Sequence, residues 1–383
     1  MRPRARRVAA GRIVVAAAVL TGGSARAEST STVSAEAGAE LDSNVERVET
    51  GPGLDTSTLA TWVLRVGARL DHKGRAFGGG YALSLSDLTR LVPEGGVAAE
   101  NVTVIAGNLR SLHQVHDRPV LLGAGATVVD ALPLVDDIGA RTFRNLGADA
   151  LLVLRSEDER SLTLGFGVRD FVYKPDHQFD WSGPAATARL EMILWQPASK
   201  TRSLELVTTL GFEARSFDGV ALVNDCPPDA PASPGCSGAT DIQRRDRYQR
   251  LGIELTWVGQ QVAAIGYQLA LIDSNSFGQS LARHRISATA TVPASKRVFL
   301  TLLAILQLDQ YLDGLVVRRD LQTQEFTNVE DENRSSIQLR VARKMTDDWS
   351  LEGRAAVWRN LAGGTMELDF HRELLYLGLV YGK

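Results

Sequence analysis

The sequence predicts an all-β chain, a transmembrane up-and-down antiparallel β-barrel of about 16 strands within a range of 14 to 18. Three observations carry this expectation. Apolar and polar residues alternate with period two from Val33 to Tyr381, and almost no segment shows helical spacing. The connections between the alternating runs are by turns short and long. The chain also opens on a secretory leader, so the remainder is expected to be exported.

The leader comes first. Arg2, Arg4, Arg6, Arg7 and Arg12 form a basic start, Ile13 to Leu20 is a short apolar run, and Ser24-Ala25-Arg26-Ala27 offers a small-x-small cleavage pattern near Ala27. No cysteine follows the apolar run, which argues against a lipid anchor. The expected division is therefore a signal peptide over 1–27 and a single barrel over 28–383. Without the leader, 36 basic residues face 45 acidic ones, and the formal charge falls from −3 to −9. Such an acidic chain is a poor partner for nucleic acid. The longest later apolar run, Val298 to Leu306, is half the length of an ordinary spanning helix, which needs about 18 residues.

The expected strands lie near 32–42, 60–71, 75–87, 100–112, 119–129, 142–155, 161–172, 185–196, 202–215, 247–257, 261–272, 282–292, 296–309, 333–343, 349–359 and 370–381. In the second, Trp62, Leu64, Val66, Ala68 and Leu70 share one face and Arg65 and Arg69 the other. Leu251, Ile253, Leu255 and Trp257 oppose Arg250, Gly252, Glu254 and Thr256 in the same way. The fourth and fifth runs alternate least regularly.

Short turns are expected at Lys73-Gly74, 157–160, 197–201, Gly259-Gln260, 293–296 and 346–348. Long connections are expected at 43–59, 88–99, 130–141, 173–184, 216–246, 273–281, 310–332 and 360–369. Strict alternation of this kind is what an up-and-down barrel in a membrane produces, with periplasmic turns at one end and outer loops at the other. The only two cysteines, Cys226 and Cys236, fall in the longest loop, and in an exported chain they read as a disulfide. Trp257, Trp349 and Tyr381 fall at periplasmic strand ends and Tyr173, Phe217 and Tyr311 at outer ends, where two aromatic girdles are expected.

If the apolar parity faces lipid, the lumen receives Glu36, Glu40, Asp42, Asp71, Asp149, Glu191, Glu205, Glu213, Glu254, Asp309 and Glu352. It also receives Arg65, Arg69, Arg155, Arg169, Arg189, Arg215, Arg250, Arg283, Arg285, Arg340 and Arg354, so acids and bases balance at 11 each. Small residues such as Gly78, Gly80, Ser84, Ser86, Thr289 and Thr291 fill other inward positions. Two readings are open: a path for water and polar solutes, or opposed charges that pair and partly fill the bore.

Catalytic chemistry is not visible. The six histidines are scattered, and His113-x-x-His116-Asp117 reads as turn residues rather than as a metal site. His284 and Ser287 fall on opposite strand faces and cannot form a dyad. Asp42-Ser-Asn-Val45 and Asp273 to Gly278 look like Asx-rich turn starts. No enzyme activity, metal or cofactor is expected.

The leader, the opening strand that ends in Glu40-Leu-Asp-Ser-Asn-Val45, and the closing Leu375-x-Leu-x-Leu-x-Tyr381 together resemble outer-membrane β-barrels of Gram-negative bacteria. The stretches AEAGAELDSNV and DENRSSIQLRVARKMTDDWSLEGRAAVWRN (331–360) are similar to the barrel domain of poly-N-acetylglucosamine export porins and to the stand-alone exopolysaccharide-export porins of myxobacteria. The chain departs from such barrels in ending Gly382-Lys383 after the aromatic, and from the former group in starting its first strand about five residues after the cleavage site, without a helical-repeat domain. The resemblance implies outer-membrane lipid and the barrel-assembly machinery as partners, and a conduit for a polysaccharide or other polar polymer, served by a separate periplasmic export protein. A general diffusion porin and an adhesion barrel acting through its outer loops are the alternative expectations.

Overall fold

The structure, a computed structural model, describes residues 29–45, 61–76, 79–93, 101–116, 118–134, 142–156, 159–227, 236–312, 335–359 and 371–383. The leader, Asp117 and Gly78 lie outside them. Sixteen strands succeed one another: β1 (Thr30–Asp42), β2 (Thr61–Ala76), β3 (Gly79–Leu91), β4 (Val102–Gln114), β5 (Val120–Pro133), β6 (Phe143–Arg155), β7 (Ser161–Tyr173) and β8 (Trp181–Trp195), then β9 (Ser203–Asn224), β10 (Ser237–Val258), β11 (Val262–Ser274), β12 (Leu281–Pro293), β13 (Val298–Tyr311), β14 (Ser335–Lys344), β15 (Trp349–Arg359) and β16 (His371–Gly382). Each strand pairs antiparallel with its sequence neighbours, and β1 pairs with β16, so the sheet is a closed barrel. The seam runs from Ser34 opposite Gly382 to Asp42 opposite Leu374. Val33 and Lys383 extend it by exchanging backbone hydrogen bonds of 2.8 and 2.9 Å.

The period-two pattern now has two physical faces. On the outside stand Leu64, Val66, Phe166, Val168, Leu302, Ile337, Leu375 and Leu377, with relative exposures from 44% to 63%. An apolar face this continuous is stable only against lipid, and a sheet can cross lipid only when every backbone amide is paired, which closure achieves. At the end carrying both termini the short connections join β2 to β3, β4 to β5, β6 to β7, β8 to β9, β10 to β11, β12 to β13 and β14 to β15. His116, Glu159 and Lys200 take positive φ values of 51°, 59° and 52° in them, as tight turns require. The other connections, β1 to β2, β3 to β4 and so on to β15 to β16, lie at the opposite, loop end. A 3₁₀ turn at His177–Phe179 sits between β7 and β8.

Several sequence expectations need correction. Lys73-Gly74 is not a turn, because β2 continues to Ala76 with Gly74 opposite Tyr81. Glycine lets the Tyr81 ring lie close over the strand, since a Cβ would stand 2.7 Å from the tyrosine oxygen. The loop expected over 216–246 shrinks to 225–236, because β9 and β10 run 22 residues each and carry their pairing past the rest of the wall. Cys226 and Cys236 are disulfide-bonded at the tip of this hairpin. The weakly alternating β4 and β5 pair along their full length, from Val102 opposite Pro133 to Gln114 opposite Leu121. Their inner positions include Val104, Leu121 and Val129, so the backbone ladder persists where polarity gives no signal.

The aromatic girdles are also lopsided. At the terminal end Trp195 stacks on Trp257 at 5.7 Å and Trp349 meets Tyr381 at 5.2 Å, all on the outer face. At the loop end Tyr173, Phe217 and Tyr311 fall on the inward parity instead, opposite Phe143, Trp181 and Leu281. The outer wall at that level carries ion pairs, Lys174 with Asp130 and Arg144 with Asp170.

The lipid assignment of the outer face makes a quantitative prediction. Leu302→Arg places a guanidinium near the middle of that face and lowers stability by about 2–4 kcal/mol. Denaturant unfolding of the chain folded in lipid vesicles measures the loss.

Candidate functional site

Among the described residues polar groups concentrate on the inner face, and the strand period determines which groups meet there. Residues i and i+2 share a face, so an arginine and an acid two apart form a pair on one strand. Arg69–Asp71, Arg189–Glu191 and Glu213–Arg215 do so at 2.6, 2.7 and 2.7 Å, and Arg244–Asp246 repeats the device. Neighbouring strands give further pairs: Arg283 directly opposite Asp309 at 2.9 Å, and, on the diagonal, Arg65–Glu36 at 2.7 Å, Arg169–Asp149 at 2.9 Å and Arg340–Glu352. Glu205 accepts a hydrogen bond from Ser203 at 2.7 Å, and Glu254 one from Thr256 at 3.5 Å. Arg250 and Arg285 line the β8–β12 wall, and Arg155 stands at the inner end of β6 opposite Ser161.

At the loop end, charges are withdrawn from water. Arg90 reaches from β3 across β2 to Glu40 at 2.9 Å and Asp42 at 3.2 Å, and Arg372 from β16 binds Asp42 at 2.6 Å. All four side chains are at most 2% exposed. Asp42 also accepts from the Asn44 amide at 3.1 Å, which makes the expected Asx turn. Arg372 lies 4.6 Å over the Trp358 ring, and Tyr376 sits below Arg354 at 5.1 Å and Arg65 at 5.8 Å. This cluster spans β3, β2, β1, β16 and β15, so it bridges the seam.

A second dense cluster faces it from β6 to β10. Phe143 stacks on Phe171 and Phe171 on Trp181, both at 5.9 Å. Arg215 lies between Trp181 at 4.4 Å and Tyr248 at 4.3 Å, and Arg244 covers Phe217 at 4.0 Å. In a sixteen-strand ring β1 and β9 are diametrically opposed, so the two clusters grip the loop end of the lumen from opposite sides.

Toward the terminal end several paired charges are accessible, although Glu352, the partner of Arg340, is buried. The side chains of Arg69, Arg189, Glu191 and Arg340 are 57%, 53%, 46% and 52% exposed. The lumen is therefore graded along its axis, hydrated in one half and densely packed in the other.

The described candidates from Glu36 to Arg354 lie on the strand parity opposite the exposed apolar residues, and Gly78 lies outside the described residues. Arg90, Arg110, Arg244, Asp246 and Arg372 were missed. Arg90 and the Arg244–Asp246 pair lie beyond the expected strand ends, and Arg110 sits in the poorly alternating β4. Arg372 alternates correctly with Leu375 and Leu377, so its parity was the available signal. His284 faces outward and its ring meets Tyr267 OH at 2.8 Å. His113 meets Ser111 at 3.0 Å near the turn. Among the described residues no three His, Cys, Asp or Glu side chains converge as a metal-holding group.

Closure, an apolar outer face and a charged inner one define the class as a membrane-spanning β-barrel with a water-facing interior. No family model and no curated protein matches the chain. Among solved structures it is similar to OccAB1 of Acinetobacter baumannii, at 9% identity over 92% of this chain and 96% of that one, with a TM-score of 0.46. It is also similar to a BenF-like porin from Pseudomonas fluorescens, at 10% identity over 93% and 99% of the two chains, with a TM-score of 0.45. Identities this low and scores below 0.5 leave solute and gating to be argued from this chain's own lumen.

The seam cluster gives a second prediction. Asp42→Asn leaves Arg90 and Arg372 buried with one carboxylate, Glu40, between them. Breaking a buried ion pair in this way costs about 3–5 kcal/mol. The temperature at which the folded band converts to the unfolded one on a gel should fall clearly below wild type, while Arg69→Gln, in the hydrated half, shifts it little.

Proposed function

We propose that the chain is an outer-membrane diffusion channel for small polar solutes, a porin in the general sense, and not a catalyst. The observation that carries this is the solvent exposure of paired charges on the inner face of a sixteen-strand wall, with Arg69, Arg189, Glu191 and Arg340 close to half exposed. Barrels of about eight strands fill with side chains, whereas barrels of about sixteen leave an aqueous path. The balanced charge of the inner wall suits neutral polar solutes and small ions of either sign. The leader over 1–27 and the closing Leu375-x-Leu-x-Leu-x-Tyr381 support delivery to the outer membrane, with the terminal end in the periplasm and the Cys226–Cys236 hairpin outside.

The polymer conduit implied by the generic ends finds less support. Arg90, Arg372, Phe143, Phe217, Trp358 and Tyr248 crowd the loop end, each no more than 7% exposed. Groups packed this closely are a filter for small solutes, and a polymer requires a continuous wide bore.

Proteoliposome swelling tests the proposal. Vesicles containing the folded chain should admit a pentose readily, a disaccharide more slowly and a trisaccharide least. Exclusion of the pentose would overturn the channel reading. Equal entry of the trisaccharide would overturn the small-solute limit.

A further inference from the structure

Midway along the β8–β12 wall the inner face is indented over Gly252 and Gly266, forming a cavity of about 430 Å³. The ladders bring its lining together. Arg189 pairs in register with Thr209, Thr209 with Gly252, Gly252 with Gln268, and Gln268 with Arg285, so one inward row crosses five strands. Arg250 lies one inward step from Gly252 toward the loop end, and Glu254 one step toward the terminal end. Glycine keeps the floor low, since a Cβ at Gly266 would already stand 3.0 Å from the Ser287 hydroxyl.

Most inner-face arginines are paired, Arg155 and Arg110 being others for which no carboxylate partner is seen among the described residues, whereas this cavity brings two such arginines together. Arg65, Arg69, Arg169, Arg189, Arg215, Arg283 and Arg340 each hold a carboxylate. Arg250 and Arg285 hold none among the described residues, and the Arg250 Nε is buried without an acceptor. A buried donor without an acceptor is costly, and a guanidinium fork is matched best by the paired oxygens of a carboxylate or phosphate. The cavity also offers Glu254 as an acceptor and Thr209, Gln268 and Ser287 as mixed donors and acceptors. Its two unpaired cations exceed its one unpaired acid, so an anion is favoured, and the neutral groups suit hydroxyls.

We infer that this indentation binds a polyhydroxylated oxyanion, of the sugar-acid or sugar-phosphate class. The oxyanion sits between the Arg250 and Arg285 forks, and its hydroxyls face Glu254, Gln268 and Thr209. The inference builds on the proposed channel by naming a solute class that the channel retains on its way through. Binding at the site does not itself require conduction.

Two measurements on the full folded chain separate these ideas. Isothermal calorimetry on the detergent-solubilised barrel uses glucuronate, glucose 6-phosphate and glucose as probes, and planar-bilayer recording follows block of the potassium chloride current by the same compounds. At least one anion should bind about tenfold or more tightly than glucose, and whichever binds better identifies carboxylate or phosphate as the preferred group. Arg250→Gln combined with Arg285→Gln should weaken that binding about tenfold or more, while Arg247→Gln, on the outer face, removes the same kind of charge without effect. Glucose binding as tightly as the anions would overturn the inference. So would no binding of either anion, or unchanged affinity in a double variant that still shows the folded gel band. Calorimetric binding without any conductance would uphold the site and overturn the channel.

Discussion

The structure depends on one constraint: no strand may have an unpaired edge. In hydrocarbon each free amide or carbonyl costs several kcal/mol, so an open sheet of this length could not exist there. The pairing of β1 with β16 removes the last edge, and residues at the two extremes of the barrel, Val33 and Lys383, bond each other to complete it. Once the ring is closed, each residue faces either lipid or lumen. The apolar outer band, the charged interior and the segregation of turns from loops all result from that choice.

The seam also receives the strongest side-chain reinforcement. Asp42 and Glu40 on β1 tie to Arg372 on β16 and Arg90 on β3, so a dry ionic cluster straddles the joint between first and last strands. Charges buried this deeply persist only when satisfied, and the bidentate contacts of Arg372 with Asp42 at 2.9 and 2.6 Å do so. Across the ring Arg215 and Arg244 are held between aromatic faces. Side chains on the inner face are thus closely packed at the loop end and more accessible toward the terminal end. Arg250 and Arg285 lie between these regimes.

Much of this was legible in the sequence. Strand number, order and alternation came through because period-two alternation is a direct consequence of facing two solvents. What alternation does not encode is height along the axis and the identity of partners. It placed Glu40 and Asp42 in the lumen without showing that Arg90 would bridge two strands to reach them. It could not mark Tyr173 and Phe217 as inward, since aromatic residues are expected on either side of a membrane boundary. It also stopped β9 and β10 short, because beyond the apolar band the outward face carries polar residues such as Asp218 and Arg245 while the inward one buries Phe217 and Arg244, so the polarity contrast is lost.

The central claim is that one face of each strand meets lipid and the other meets water. Single cysteines along β12, in a chain with Cys226 and Cys236 replaced by serine, test it directly by their reactivity toward a membrane-impermeant maleimide in proteoliposomes. Positions 285, 287 and 289 should react and 286, 288 and 290 should remain protected. Protection at all six would mean a sealed interior, reactivity at all six would mean a wall not embedded in lipid, and either would contradict the account.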